Sequence, residues 1–134
     1  MTHGILVQAV TTEVLPTYAK SLGFDVLLYD LEHGVISIDK LSELTYLSNH
    51  FGVVVWARVP ELSKAWISRT LDCGVKGIIL PMTETVEQAQ LFVNFSKYPP
   101  LGRRGYSGGG HTQYDPTVLH SQVIDDKNQI VRTL

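Results

Sequence analysis

Residues 29–34 read Tyr-Asp-Leu-Glu-His-Gly and place two carboxylates and an imidazole directly after an apolar run. His33 is placed to act as a general base, the role that histidine most often has in enzymes. Asp30 and Glu32 alternate along a strand, and we expect them to face the same side, either around a site or toward a neighbouring helix. A solvated loop with a chance histidine is the competing interpretation.

Arg58 stands at the end of the next apolar run, residues 52–59. Its guanidinium is a fixed cation that can hold a carboxylate through two parallel hydrogen bonds and can stabilise a developing enolate oxygen. Ligands of parallel α/β proteins bind at the carboxyl ends of the strands. His33 and Arg58 at neighbouring strand ends therefore favour a shared site.

Asp72 closes a predicted helix, fourteen residues beyond Arg58. A carboxylate is unfavourable near a helix C-terminus. Two interpretations stay open: Asp72 orients the ring of His33 through a hydrogen bond, or it is an ordinary surface acid.

Residues 97–116 are rich in glycine and proline and predict a long loop of the kind found at active sites. Arg103 or Arg104 can hold an anion there, and glycine permits close approach of the backbone to a ligand. No phosphate-binding P-loop motif is present. His111 and Tyr114 either fold over the site or tether the loop.

These residues must be positioned by an alternating pattern of strands and helices. The pattern gives about four βα units in one domain spanning residues 1–134, an α/β class with a parallel sheet. The predicted strands are Gly4–Val10, Phe24–Asp30, Gly52–Val59 and Gly77–Pro81. The predicted helix caps are Thr11 or Thr12, Ser37 or Asp39, Ser63 and Thr83. We read residues 125–128 as a turn between a short helix and the start of a further strand.

Composition and charge argue against a nucleic-acid-binding, membrane-spanning or secreted protein. The net charge of −2 gives no reason to expect nucleic acid or an anionic membrane as partner. No apolar run approaches the roughly 20 residues of a membrane span, and the N-terminal residues lack a signal-peptide pattern. The single Cys73 has no intrachain disulfide partner. We therefore expect a cytoplasmic protein.

Four ordered motifs together resemble the HpcH/HpaI aldolase family. They are FDVLLYDLEHG, VVVWARVP, LDCGVKGIILPMTETVEQAQ and KYPPLGRRGYSGG, and the similarity runs from about Gly4 to about Gly110. The resemblance implies a class II, metal-dependent lyase that forms or cleaves 2-oxo acids through a pyruvate enolate. It also implies a (β/α)8 (TIM) barrel, of which this chain carries the N-terminal half, and assembly into oligomers.

Site roles follow from the same resemblance. The family's catalytic histidine falls on His33, and its pyruvate-binding arginine falls on Arg58. The aspartate that pairs with the histidine falls on Asp72. Arg104 matches the loop arginine that shapes the substrate pocket.

The sequence differs from the family at the metal ligands. The resemblance implies Mg²⁺, Mn²⁺ or Co²⁺ held by a glutamate and an aspartate on later barrel strands, and no acid in this sequence matches either one. Asp125 and Asp126 come before the strand that would carry the glutamate, and they lack the flanking apolar residues of such a strand. We therefore expect no metal ligand from this chain.

Three hypotheses remain at this point. The chain is an aldolase-type lyase acting on pyruvate and an aldehyde, as a homo-oligomer or with a complementing chain. Alternatively it is a catalytically silent, truncated paralogue that serves as an oligomer subunit or binding protein, or it is a damaged gene product without a stable fold.

Overall fold

The structure, a computed structural model, describes residues 2–130 and 132–133. Five parallel strands lie in the order β1-β2-β3-β4-β5. The strands are β1 Gly4–Val7, β2 Val26–Asp30, β3 Val54–Arg58, β4 Gly77–Ile79 and β5 Arg132–Thr133. The helices are α1 Leu15–Ser21, α2 Ile38–His50, α3 Lys64–Asp72, α4 Val86–Ser96 and α5 His120–Ile130, with a 3₁₀ turn at Gly110–Thr112. The four predicted βα units and the parallel α/β class are confirmed.

Element boundaries differ from the prediction where local chemistry decides them. Each of the first four strands is shorter than predicted, since pairing ends before the flanking apolar residues do. Helix α1 begins after Val14 rather than at a threonine cap. Helix α4 is capped by Thr85 rather than Thr83, because Thr85 and Gln88 form a reciprocal capping box.

The predicted turn at residues 125–128 is wrong, because these residues lie inside α5. Tertiary contacts hold this part of the helix. The Asn128 side chain accepts a hydrogen bond from Tyr98 N at 2.8 Å and donates one to Tyr98 O at 3.1 Å. Lys97 Nζ donates to the carbonyl of Asn128 at 2.7 Å. These bonds outweigh the low helix propensity of Asp and Asn.

One face of the sheet packs against the helices and forms the core. Alternate strand residues point to this face, among them the fully buried Leu27, Tyr29, Val55, Ala57 and Ile78. They belong to one cluster with Leu41 and Leu44 of α2 and with Ile67 and Leu71 of α3. Parallel strands joined by right-handed crossovers place their helices on one side in this way.

The opposite sheet face is apolar and partly open in the described structure. Leu6, Leu28, Trp56 and Gly77 form one row across four strands. Leu6 is 53% exposed, and Val54, one row below, is 38% exposed. In a closed barrel such rows fill the interior as layers of side chains.

Among the described residues, no helix is long and apolar enough to cross a membrane.

Gly77 leaves the space that the Trp56 ring occupies. A Cβ at Gly77 would lie 2.3 Å from Trp56 Cδ2, so Gly77→Ala should force the ring or strand β4 to shift. We expect the free energy of unfolding to fall by about 1–3 kcal/mol, measured by urea denaturation. The matched control is Gly105→Ala, since a Cβ at Gly105 meets nothing within 4 Å. Equal stability of the two variants would contradict this packing.

Candidate functional site

Asp30 and Arg58 meet in register at the carboxyl ends of β2 and β3. The Asp30 side chain is fully buried. Arg58 Nε donates to Asp30 Oδ1 at 3.0 Å, and Arg58 Nη2 donates to Asp30 Oδ2 at 2.6 Å. This bidentate pair is the fixed centre of the predicted site.

The same carboxylate also holds β1 and the loop after β2. Gln8 Nε2 donates to Asp30 Oδ2 at 2.8 Å. The backbone N–H groups of Glu32 and His33 donate to Asp30 Oδ1 at 3.0 and 3.2 Å. The loop then turns so tightly that a Cβ at Gly34 would lie 2.1 Å from the carbonyl oxygen of Asp30. Gly34 is therefore required for His33 to stand where it does.

The electrostatics of the pair follow from these bonds. The Arg58 guanidinium, helped by Gln8 and the two backbone donors, holds the pKa of the Asp30 carboxyl well below its usual range, although burial opposes the shift. Asp30 in turn raises the pKa of Arg58. Both groups therefore stay charged at neutral pH.

His33 is the accessible member of this group. Its side chain is 65% exposed, and its Nε2 lies 3.5 Å from Glu32 Oε1. Glu32 also pairs with Arg58 Nη1 at 3.2 Å. We call Gln8, Asp30, Glu32, His33 and Arg58 the strand-end cluster.

The structure changes the expected role of Arg58 in one respect. Its Nε–Nη2 edge is already occupied by Asp30, and its Nη1 faces Glu32. A substrate carboxylate can therefore bind only the N–H groups of Nη1 and Nη2 that do not face Asp30 or Glu32. Two carboxylates against one guanidinium also leave the cluster net negative, so an anionic substrate needs a further positive charge nearby.

Asp72 and Arg104 lie at the other end of the sheet. Asp72 ends α3, and shortly afterwards Lys76 N donates to the carbonyl of Val55 near the start of β3. Arg58 ends that same strand. Since a strand rises about 3.3 Å per residue, roughly 13 Å of strand separates the two ends.

A second group of polar side chains surrounds Asp72. Arg104 is 3% exposed, and its Nη2 donates to Asp72 Oδ1 at 2.7 Å. The guanidinium also covers the Tyr98 ring at 4.7 Å. His111 Nδ1 lies 3.9 Å from Asp72 Oδ1, and its ring meets Tyr106 edge-on. We call Asp72, Tyr98, Arg104, Tyr106 and His111 the helix-end cluster.

The glycine-rich loop is anchored on this helix end. A Cβ at Gly110 would lie 2.5 Å from the carbonyl oxygen of Cys73, and a Cβ at Gly74 would lie 2.6 Å from that of Gly110. The Tyr114 hydroxyl lies 3.0 Å from Ser42 Oγ on α2. His111 and Tyr114 therefore tether the loop, and within this chain residues 97–116 do not cover His33 and Arg58.

Within one chain, the structure does not bring Asp72 and His33 together. Asp72 pairs with Arg104 and His33 with Glu32, at opposite ends of the sheet. Chain direction explains the difference, because a crossover helix ends beside the start of the strand that follows it. Sequence reasoning also missed the burial of His111 and the role of Gln8, although Gln8 follows β1 in the row of Asp30 and Arg58.

The described residues do not fit a divalent cation on their own. Asp30 and Glu32 are both paired with Arg58. Across residues 2–130 and 132–133, no group of three or more His, Cys, Asp or Glu side chains is arranged to hold a metal ion. A hard cation needs several oxygen ligands, which these residues do not supply.

Comparison with known proteins gives consistent matches. Residues 7–130 match the HpcH/HpaI aldolase/citrate lyase family. The chain is 34% identical over 103 residues to 4-hydroxy-4-methyl-2-oxoglutarate aldolase of Hapsidospora irregularis, covering 76% of this chain and 38% of that protein. It is 36% identical over 95 residues to 2-keto-3-deoxy-L-rhamnonate aldolase of Salmonella gallinarum, covering 71% and 36%.

A solved structure, the HpcH/HpaI aldolase from Desulfitobacterium hafniense, is similar over 98% of this chain and 51% of its own, with a TM-score of 0.91 and 26% identity. The chain thus spans less than two fifths of the two curated relatives and about half of the solved one.

Removing the Arg58 charge should leave a buried, unpaired carboxylate. We expect Arg58→Gln to cost about 3–5 kcal/mol of unfolding free energy at neutral pH. The folded pKa of Asp30 lies below its unfolded value, so the pair stabilises the fold above the unfolded value near 3.8 and this stabilisation is lost as pH falls. The gap between wild type and Arg58→Gln should therefore narrow in acid.

Urea denaturation at neutral and acidic pH measures this gap. The control is Arg69→Gln, an exposed arginine on α3, which should change stability by no more than about 0.5 kcal/mol. A pH-independent gap would exclude Asp30 as its origin.

Proposed function

The chain belongs to the HpcH/HpaI aldolase/citrate lyase family, and from this premise we propose that it carries the base and the arginine of a carbon–carbon lyase acting on 2-oxo acids. The observation that supports this most directly is the strand-end cluster. An accessible imidazole stands beside a guanidinium that a buried carboxylate holds in one orientation. Preorganised charge of this kind stabilises negative charge as it develops in a transition state.

In the cleavage direction, His33 takes the proton of the 4-hydroxyl group of a 4-hydroxy-2-oxo acid, directly or through one water. The C3–C4 bond then breaks, an aldehyde or ketone leaves, and the electron pair moves into the enolate of pyruvate. The free N–H bonds of Arg58 face the enolate oxygen, and the proton that His33 accepted passes, directly or through one water, to C3, which completes pyruvate and regenerates the base. The names of the curated relatives, both aldolases of 2-oxo acids, support this substrate class.

The charge balance of the strand-end cluster sets a condition on this chemistry. With neutral His33 the cluster is net negative, which disfavours a 2-oxo acid carboxylate. The family resemblance implies a divalent cation on later strands, and it would supply the missing charge. The acids that hold it must come from outside the described residues.

We further propose that Asp72 acts on a His33 of another copy. The resemblance pairs the two residues, but one chain holds them at opposite ends of its sheet. Asp72 is 30% exposed at its side chain, and His33 is 65% exposed, so both are reachable from outside. Arg104, bound to Asp72, would enter the same composite site.

The alternative function is a non-catalytic subunit. It is favoured by the occupied bonding edges of Arg58 and by the net negative charge of the strand-end cluster. Such a subunit would keep the ion pair for structural reasons and bind no pyruvate.

Enolisation is the step to test first. Exchange of pyruvate methyl protons in D2O, followed by NMR with and without Mn²⁺, should occur with wild type. It should fall about 100-fold or more in His33→Ala, because general-base catalysis contributes that much. The control is His50→Ala, an exposed histidine at the end of α2, which should exchange like wild type. No exchange by folded wild type under either condition would favour the non-catalytic subunit.

A mixing experiment tests the composite site. His33→Ala and Asp72→Asn chains should each be deficient in exchange, but refolding them together should restore activity. In a two-fold dimer the mixture should reach about a quarter of the wild-type rate, since half of the dimers carry one intact site. A mixture no better than its components would exclude sharing between copies and leave Asp72 a structural partner of Arg104.

A further inference from the structure

Gln8 follows β1 and lies beside Asp30 of the neighbouring strand. Val7, the last residue of β1, pairs with Tyr29, so Gln8 continues the row that holds Asp30 and Arg58. The residue is exposed at the strand-end side of the sheet. Neither the family resemblance nor the proposed mechanism assigns its side chain a role.

The Gln8 amide binds the carboxylate oxygen that Arg58 also binds. Gln8 Nε2 and Arg58 Nη2 both donate to Asp30 Oδ2, at 2.8 and 2.6 Å. With two donors on Oδ2, the other oxygen is presented to Arg58 Nε and to the backbone N–H groups of Glu32 and His33. Rotation of the carboxylate would break bonds on both oxygens. The Gln8 amide therefore helps to fix the plane in which Asp30 binds its partners.

The main chain of Gln8 holds the other end of the loop that carries His33. Val35 N donates to the Gln8 carbonyl oxygen at 2.8 Å. A Cβ at Gly34 would lie 3.0 Å from the same oxygen, so the loop passes closely over the end of β1. His33 thus lies between two attachments, one to Asp30 and one to Gln8. Because its side chain is 65% exposed, the position of the ring depends on how this backbone is held.

An uncharged amide suits this position because it adds a donor without adding a charge. A second cation beside Asp30 would compete with Arg58 for the carboxylate, and a second carboxylate would repel it. A neutral donor leaves the ion pair of Asp30 and Arg58 intact and still adds a hydrogen bond to a buried charge, which such a charge requires.

We propose that Gln8 is a positioning residue of the strand-end cluster. Its amide orients the Asp30 carboxylate, which in turn orients the Arg58 guanidinium and the loop that carries His33. Gln8 acts through these groups and does not touch the reacting atoms. Its effect on turnover rests on the proposed lyase function, whereas its effect on the positions of Arg58 and His33 does not.

Gln8→Met isolates the contribution of the side chain. The variant keeps the length of the side chain and the backbone carbonyl of residue 8 but removes the donor to Asp30. In heteronuclear NMR spectra of the full chain, the Arg58 Nε–H and the His33 amide resonances should shift, because both groups donate to that carboxylate. The matched control is Gln90→Met, an exposed glutamine on α4, which should leave both resonances at their wild-type positions. Unchanged resonances in folded Gln8→Met would overturn the proposal.

Turnover is the second readout. Where wild type exchanges the methyl protons of pyruvate, Gln8→Met should lower the kcat of exchange roughly 10- to 100-fold, since small displacements of reacting groups cost that much. The KM for pyruvate should stay near the wild-type value, because Gln8 does not bind the substrate. A wild-type kcat in this variant would overturn the proposal. If folded wild type does not exchange, the lyase function fails, and the two resonances alone decide the role of Gln8.

Gln8→Glu separates positioning from a general loss of stability. The ionised carboxylate would repel Asp30, but the protonated carboxyl group would again donate to it. The negative charge of Asp30 raises the pKa of the introduced group above its usual value of about 4.3. The Arg58 Nε–H resonance should therefore return toward its wild-type position as the pH falls toward about 5, which a loss of stability would not produce. A displacement of this resonance that does not depend on pH would contradict the proposed role.

Discussion

The buried carboxylate of Asp30 is the constraint on which the strand-end cluster depends. A charge without access to water must be paired and fully hydrogen-bonded, or it destabilises the fold by several kcal/mol. Asp30 meets this requirement with five donors from Gln8, Glu32, His33 and Arg58. These donors come from the end of β1, from β3 and from the loop after β2, so satisfying one carboxylate on β2 also aligns three strand ends and positions the imidazole. Stability and the position of the proposed base therefore depend on one set of bonds.

The sheet separates the polar side chains of the molecule into two groups with different roles. The strand-end cluster presents one accessible imidazole to solvent. The helix-end cluster buries an arginine and a histidine under a loop that rests on the backbone of α3. A chain that keeps these groups at opposite ends needs a neighbouring copy to combine them. The composite site proposed above would bring Asp72 of one copy to His33 of another.

Much of the fold was predictable because apolar residues recur regularly along its strands and helices. The parallel order of β1 to β4 and the N-cap Ser63 follow from local pattern alone, whereas the pattern left Ser37 and Asp39 as alternatives at the start of α2, where Ser37 is the N-cap. The Thr85 cap was equally readable, since Gln88 three residues later completes a capping box. Residues 125–128 were misjudged because the bonds between Asn128 and Tyr98 join segments 30 residues apart. Predicting where Asp72 lies requires the direction in which α3 runs along the sheet. The number of residues between Arg58 and Asp72 does not give that direction.

Trp56 makes changes at the open sheet face observable by fluorescence. Its indole lies in the row of Leu6 and Leu28, half-buried and held in place by the missing side chain of Gly77. Whatever covers this face removes water from that ring, which would move its fluorescence emission to shorter wavelength. Trp66 lies on α3 and not on this face. The chain thus contains an intrinsic optical reporter of anything that covers this face, with no added label.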